Sequence, residues 1–175
     1  MAEPSTIPPL PFLTGYPPHV LAQVRGLIER GKLDEYLGNR YPDGHAVRND
    51  RQLYDYVLEL KDRYLRSSAP LSKVVYDGKL QVVKHALGTH TTISRVQGSR
   101  LKASREIRIA SVFRDAPGPF LEMIAAHELA HLRESDHNKA FYALCRHISA
   151  DYHQLEFDLR LYLTAQALRP RTPGD

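Results

Sequence analysis

An α+β fold is the class this sequence predicts, and three observations predict it. Apolar residues recur at helical spacing between Val20 and Tyr64. β-Branched residues then gather around turn signals between Ser72 and Phe113. Helical spacing returns from Phe120 onward. Helices, a small antiparallel sheet and helices again make a segregated order, not an alternating one.

The chain has 175 residues, enough for one domain with a proper core. Six of the twelve prolines fall within residues 1–18, which read as an extended or loose arm. Residues 19–168 read as a single domain, with a helical part at 19–66, a sheet at 72–113 and further helices at 119–168. Val20, Val24, Leu27 and Ile28 form the first helical stripe, which Gly31 interrupts before a short helix through Leu37. Pro42 and Gly44 mark a loop. Asn49 is a good cap for a helix that puts Leu53, Tyr56, Val57, Leu60 and Tyr64 on one face.

The stretch SKVVYDGKLQVVKHAL carries a hairpin signal at Asp77-Gly78. THTTISRVQG and REIRIASVF continue with strand-like residues. DAPGPF is a turn, and Pro119 suits the first turn of the helix that follows. Asp136 or Asn138 can cap the next helix, where Phe141, Leu144, Cys145 and Ile148 form a stripe. The segment YHQLEFDLRLYLTAQALR alternates in part, but its length and lack of Gly or Pro favour a helix. Residues 169–175 read as a loose tail.

Composition narrows the setting. Charged residues make up 25%, with Lys+Arg 24 against Asp+Glu 20. The pI of about 9.2 hints at anionic partners. One cysteine, Cys145, rules out a disulfide within the chain and fits a reducing compartment. The N-terminus lacks the pattern of a signal peptide, and no run is apolar enough to span a membrane. A cytoplasmic protein is the expectation.

The chemistry concentrates in IAAHELAHLRESDHNKAF, Ile124 to Phe141. His127 and His131 stand one turn apart on one helix face, so two imidazoles can meet at one point, as tetrahedral Zn2+ accepts. Glu128 lies a neighbouring face away, placed to take a proton from a metal-activated water. A third ligand can come from His137, His147, His153, Glu156 or Asp158. His137 is favoured because it shares the inward face of Phe141 and Cys145. Glu156 is the alternative. Packed, non-ligating histidines are the bland reading. It is the weaker one, since an unpartnered Glu on an apolar helix is costly.

His127, Glu128, Leu129, His131, Leu132, His137 and Phe141 stand where the YgjP-like metallopeptidase family has its motif, and the chain resembles that family over roughly residues 70–165. The resemblance implies a minimal zincin-like fold, one Zn2+ on His127, His131 and His137, and Glu128 as general base. The family's strand motif Ser-Arg-Trp-Gly-Ser is matched only in part, by Ser94-Arg95-Val96-Gln97-Gly98. This chain has no tryptophan. Proteins resembling this one include metallopeptidases and nucleoside-triphosphate pyrophosphohydrolases acting on UTP.

The substrate is therefore a peptide or a nucleotide. Lys84, Arg95, Arg100, Lys102, Arg105, Arg108 and Arg114 crowd the sheet segment against few acidic residues. Facing the cleft, Arg95, Arg105 and Arg108 would grip phosphate. Solvated strand residues are an equal reading. Tyr152 and His153 can contact substrate or simply cap and pack. Glu156 and Asp158 can orient a ligand histidine. No nucleic-acid-binding motif is present, and the sequence leaves oligomeric state open. A non-catalytic, zinc-stabilised binding module is a further alternative, which needs four protein ligands.

Overall fold

A computed structural model describes residues 7–80 and 105–170. Six helices and a two-stranded sheet appear among them, an α+β arrangement. The helices are α1 (Pro18–Glu29), α2 (Leu33–Arg40), α3 (Asp50–Tyr64), α4 (Gly118–Ala130), α5 (Lys139–Ile148) and α6 (Tyr152–Leu168). The strands are β1 (Leu71–Asp77) and β2 (Arg105–Ala110). The chain forms two compact units, Met1–Pro42 with Phe157–Asp175, and Asp43–Glu156.

In the larger unit, α3 starts where its cap predicts. The Asn49 side chain accepts a hydrogen bond from the Gln52 N–H at 2.9 Å. Leu53 and Val57 are fully buried on its inner face, and α3 packs on β1. The Asp50 carboxylate accepts from the Tyr76 N–H at 2.9 Å, which ties the helix start to the strand.

The described sheet corrects the antiparallel expectation. β1 and β2 run parallel, from Leu71 opposite Arg105 to Asp77 opposite Ala110. A turn does follow β1, where the Asp77 side chain accepts from the Lys79 N–H at 2.8 Å. Parallel neighbours cannot be joined by such a turn alone and need a long crossover. The intervening residues 81–104 lie outside the described set, and with them the rest of the expected hairpin.

Helix α4 is apolar around most of its circumference, with Glu122 and Glu128 half-buried. Phe120, Leu121, Met123, Ile124, Ala125, Ala126, Leu129 and Ala130 are all buried. A helix with so wide an apolar surface belongs largely inside a core. It packs against α3, α5 and β2. The helix ends at Ala130, with His131 as its C-cap. Asn138 caps α5, its side chain accepting from the Phe141 N–H at 2.8 Å.

In the smaller unit, part of the stretch expected as an extended or loose arm is packed. Residues 11–13 form a 3-10 turn, and Leu10 and Leu13 join a core with Val24, Leu33, Leu37, Leu161 and Ala165. Gly31 adopts a φ of +63°, which separates α1 from α2 at little cost for glycine. The partly alternating segment at the C-terminus is the helix α6.

Asp158 is fully buried in this smaller unit. Its carboxylate accepts from the Tyr36 hydroxyl at 3.2 Å and from the Tyr41 hydroxyl, and Arg40 Nε lies 3.4 Å away. Burial and the Asp158 charge hold both phenols above their usual range. Asp158→Ala leaves these donors without their acceptor and should cost about 2 kcal/mol of stability or more. Urea unfolding checks this, with a lower midpoint expected at unchanged slope.

Candidate metal centre

Three histidines from one helix–turn–helix meet in the larger unit. His127 lies in the last turn of α4, His131 caps it, and His137 precedes α5. Their ligand atoms all lie within 4.8 Å of one another. His131 Nε2 is 3.2 Å from His127 Nε2 and 3.2 Å from His137 Nε2. His127 is buried, whereas His131 and His137 are half-buried.

The turn between the helices is held by named bonds. Glu134 N–H donates to the Ala130 carbonyl at 3.0 Å. The Glu134 side chain in turn accepts from Asn138 Nδ2 at 3.2 Å. Arg133 donates to the hydroxyls of Ser68 and Ser67 at 2.8 and 3.0 Å. These contacts fix the turn that brings His137 back over the end of α4.

Hydrogen bonds also set the imidazole tautomers. His131 Nδ1 lies 2.9 Å from the Glu134 carbonyl oxygen. A carbonyl only accepts, so Nδ1 carries the proton and Nε2 offers its lone pair to the centre. One lone pair cannot accept an in-plane N–H from two neighbours at once. A divalent cation at the focus of the three Nε2 atoms resolves this. Zinc–nitrogen bonds of about 2.0–2.1 Å in a tetrahedron put ligand nitrogens roughly 3.3 Å apart, close to the separations found. The donor set therefore fits a borderline-soft metal ion.

Phe141 forms the floor of the site. It is fully buried, with its ring centroid 4.5 Å from His131, 4.7 Å from His137 and 5.0 Å from His127. Its place on an apolar stripe was readable, but its contact with all three imidazoles was not. Tyr142, which the sequence did not single out, stands beside the site. Its ring is 6.3 Å from His137 and 5.2 Å from His153.

Glu128 is half-buried one position beyond the first histidine. Burial pushes its carboxyl up to about 8. Tyr152 lies behind His127, its hydroxyl 2.7 Å from Nδ1. His153 is exposed and pairs with Arg146, Nη1 to Nε2 at 3.1 Å.

The basic residues are less concentrated than their sequence suggests. Arg108 is held by Glu106 at 2.6 Å and by Asp77 at 3.0 Å. The Lys79 N–H and this guanidinium keep the Asp77 carboxyl below its usual range. Arg105 is half-buried at the start of β2. Arg95 lies outside the described residues, as do Lys84, Arg100 and Lys102. Glu156 is half-buried at the end of the larger unit, and Asp158 is taken up by Tyr36, Tyr41 and Arg40. Among the described residues, no helix is long and apolar enough to cross a membrane.

Residues 36–162 match the family model described as YgjP-like, metallopeptidase domain. A UTP pyrophosphatase of Escherichia coli (strain K12) is 55% identical over 159 residues, which cover 91% of this chain and 95% of that protein. No solved structure matches the chain.

The Glu128 carboxyl generates a pH-dependent stability. Between 4.5 and about 8 the folded, metal-free protein keeps a proton that the unfolded chain has released. Stability from this group therefore falls as pH rises through that window. Glu128→Gln removes the fall. Thermal melts without metal should show the variant gaining about 3 °C or more on the unsubstituted protein across the window. A constant gap would contradict the buried carboxyl.

Proposed function

Since the chain belongs to the YgjP-like metallopeptidase family, we propose that it is a zinc-dependent hydrolase that splits nucleoside triphosphates, UTP foremost, into monophosphate and pyrophosphate. The observation that carries this reading is the 55% identity to UTP pyrophosphatase, sustained over nearly the whole of both chains. In this reading His127, His131 and His137 hold the ion. A divalent metal bound there supplies an acidified water and neutralises charge on the reacting phosphate.

The protein's own groups do the rest. Glu128 takes the proton as the water oxygen bonds to the α-phosphorus. The bond from that phosphorus to its bridging oxygen breaks, and pyrophosphate leaves. The buried Phe141 floor keeps water from the back of the site. Tyr142 and His153 form an aromatic rim on which a base can stack. Arg105 and Arg95 are the proposed phosphate grips, with Arg108 the weaker choice because Glu106 and Asp77 already engage it. The single cysteine and a nucleotide substrate fit the cytoplasm.

Peptide hydrolysis is the second reading, favoured by the H-E-x-x-H motif that metallopeptidases share. A closed structural zinc site is disfavoured. Among the described residues no fourth His, Cys, Asp or Glu joins the cluster.

A panel of nucleoside triphosphates, assayed for pyrophosphate, separates these readings. Release from UTP is expected to fall by about 10²-fold or more in Glu128→Gln, with zinc content unchanged. His131→Ala should lose zinc and activity together. Zinc-loaded protein that releases no pyrophosphate, yet cleaves peptides in a Glu128-dependent way, would return the peptidase reading to the front.

A further inference from the structure

We propose that Tyr152 is a positioning residue for the first histidine of the cluster, its hydroxyl accepting the Nδ1–H of His127 so that Nε2 is turned toward the metal. The proposal rests on the metal reading of the site. Its geometric basis is direct. The Tyr152 hydroxyl and His127 Nδ1 are 2.7 Å apart, and the two rings lie nearly parallel at 19°. Tyr152 is 1% exposed and His127 is 3% exposed, so water does not substitute for either partner.

The direction of the bond follows from where each proton can go. A phenol can donate or accept. The tautomer with hydrogen on Nδ1 is the one that frees Nε2 for a metal.

A neutral partner suits this place. Ligand histidines are commonly backed by a carboxylate or a carbonyl. His131 has the carbonyl of Glu134, supplied by the adjoining turn. His127 is buried on a largely apolar helix, where a carboxylate would bring a further acidic group beside Glu128. A tyrosine from a distant part of the chain gives the same orientation without a charge. Its hydroxyl lies behind the ligand ring, and this separates it from a role in contacting substrate.

The test compares zinc affinity, by chelator competition, between the unsubstituted protein and Tyr152→Phe. The phenylalanine keeps the buried ring and removes only the oxygen. Affinity should fall by about 10–100-fold. The Co2+-loaded variant should show shifted visible absorption bands, and the metal-free variant should melt a few degrees lower while staying folded. A folded Tyr152→Phe protein with unchanged zinc affinity overturns the proposal. If the variant does not fold, NMR of the unsubstituted zinc-loaded protein decides. A slowly exchanging His127 Nδ1–H close to the Tyr152 ring supports the bond, and its absence overturns it. Failure of the unsubstituted protein to bind zinc at all overturns the metal reading and this proposal together.

Discussion

The constraint on which the site depends is the placement of a polar motif on a helix that is almost wholly buried. Helix α4 is enclosed by apolar neighbours, yet it carries His127 and Glu128. Each polar atom placed there must find a partner or destabilise the fold. The rest of the larger unit can be seen as the supply of those partners. Tyr152 satisfies one edge of His127, the turn carbonyl of Glu134 satisfies His131, and the three Nε2 atoms face each other. Removing the helix from its core would dissolve this arrangement, because the imidazoles are aligned by packing on Phe141 as much as by hydrogen bonds.

The most local features were legible from the sequence. The cap at Asn49, the cap at Asn138 and the pairing of His127 with His131 each depend on residues within a turn or so. The strand pairing was not, because Asp77-Gly78 reports only that the chain turns, not which later strand lies beside β1. Leu10 and Leu13 were hidden by their prolines, which describe backbone stiffness and say nothing about burial. Tyr152 was noticed, but its direction could not be read. A tyrosine that starts a helix can face substrate or core, and only tertiary packing decides which.

The basic segment teaches a similar lesson about charge. A count along the chain treats every arginine alike. In the fold, Arg108 already lies between two carboxylates, so its charge is largely spent within the sheet. Exposed ion pairs add little stability, yet they do limit which cations remain to meet an anion. Charge runs therefore overstate the field a substrate meets, and the partners of each residue matter more than the sum.

The closeness of the three histidines along the chain has a consequence for how the metal is acquired. Positions 127 to 137 close only a short loop, and the entropy lost in closing it is small. If the three histidines hold the ion as proposed, the unfolded chain keeps part of that affinity, and metal stabilises the native state by less than the native affinity alone implies. In the proposed reading, a newly made chain would hold the ion only loosely through these three imidazoles, and would reach its native affinity once α4 is packed in its core.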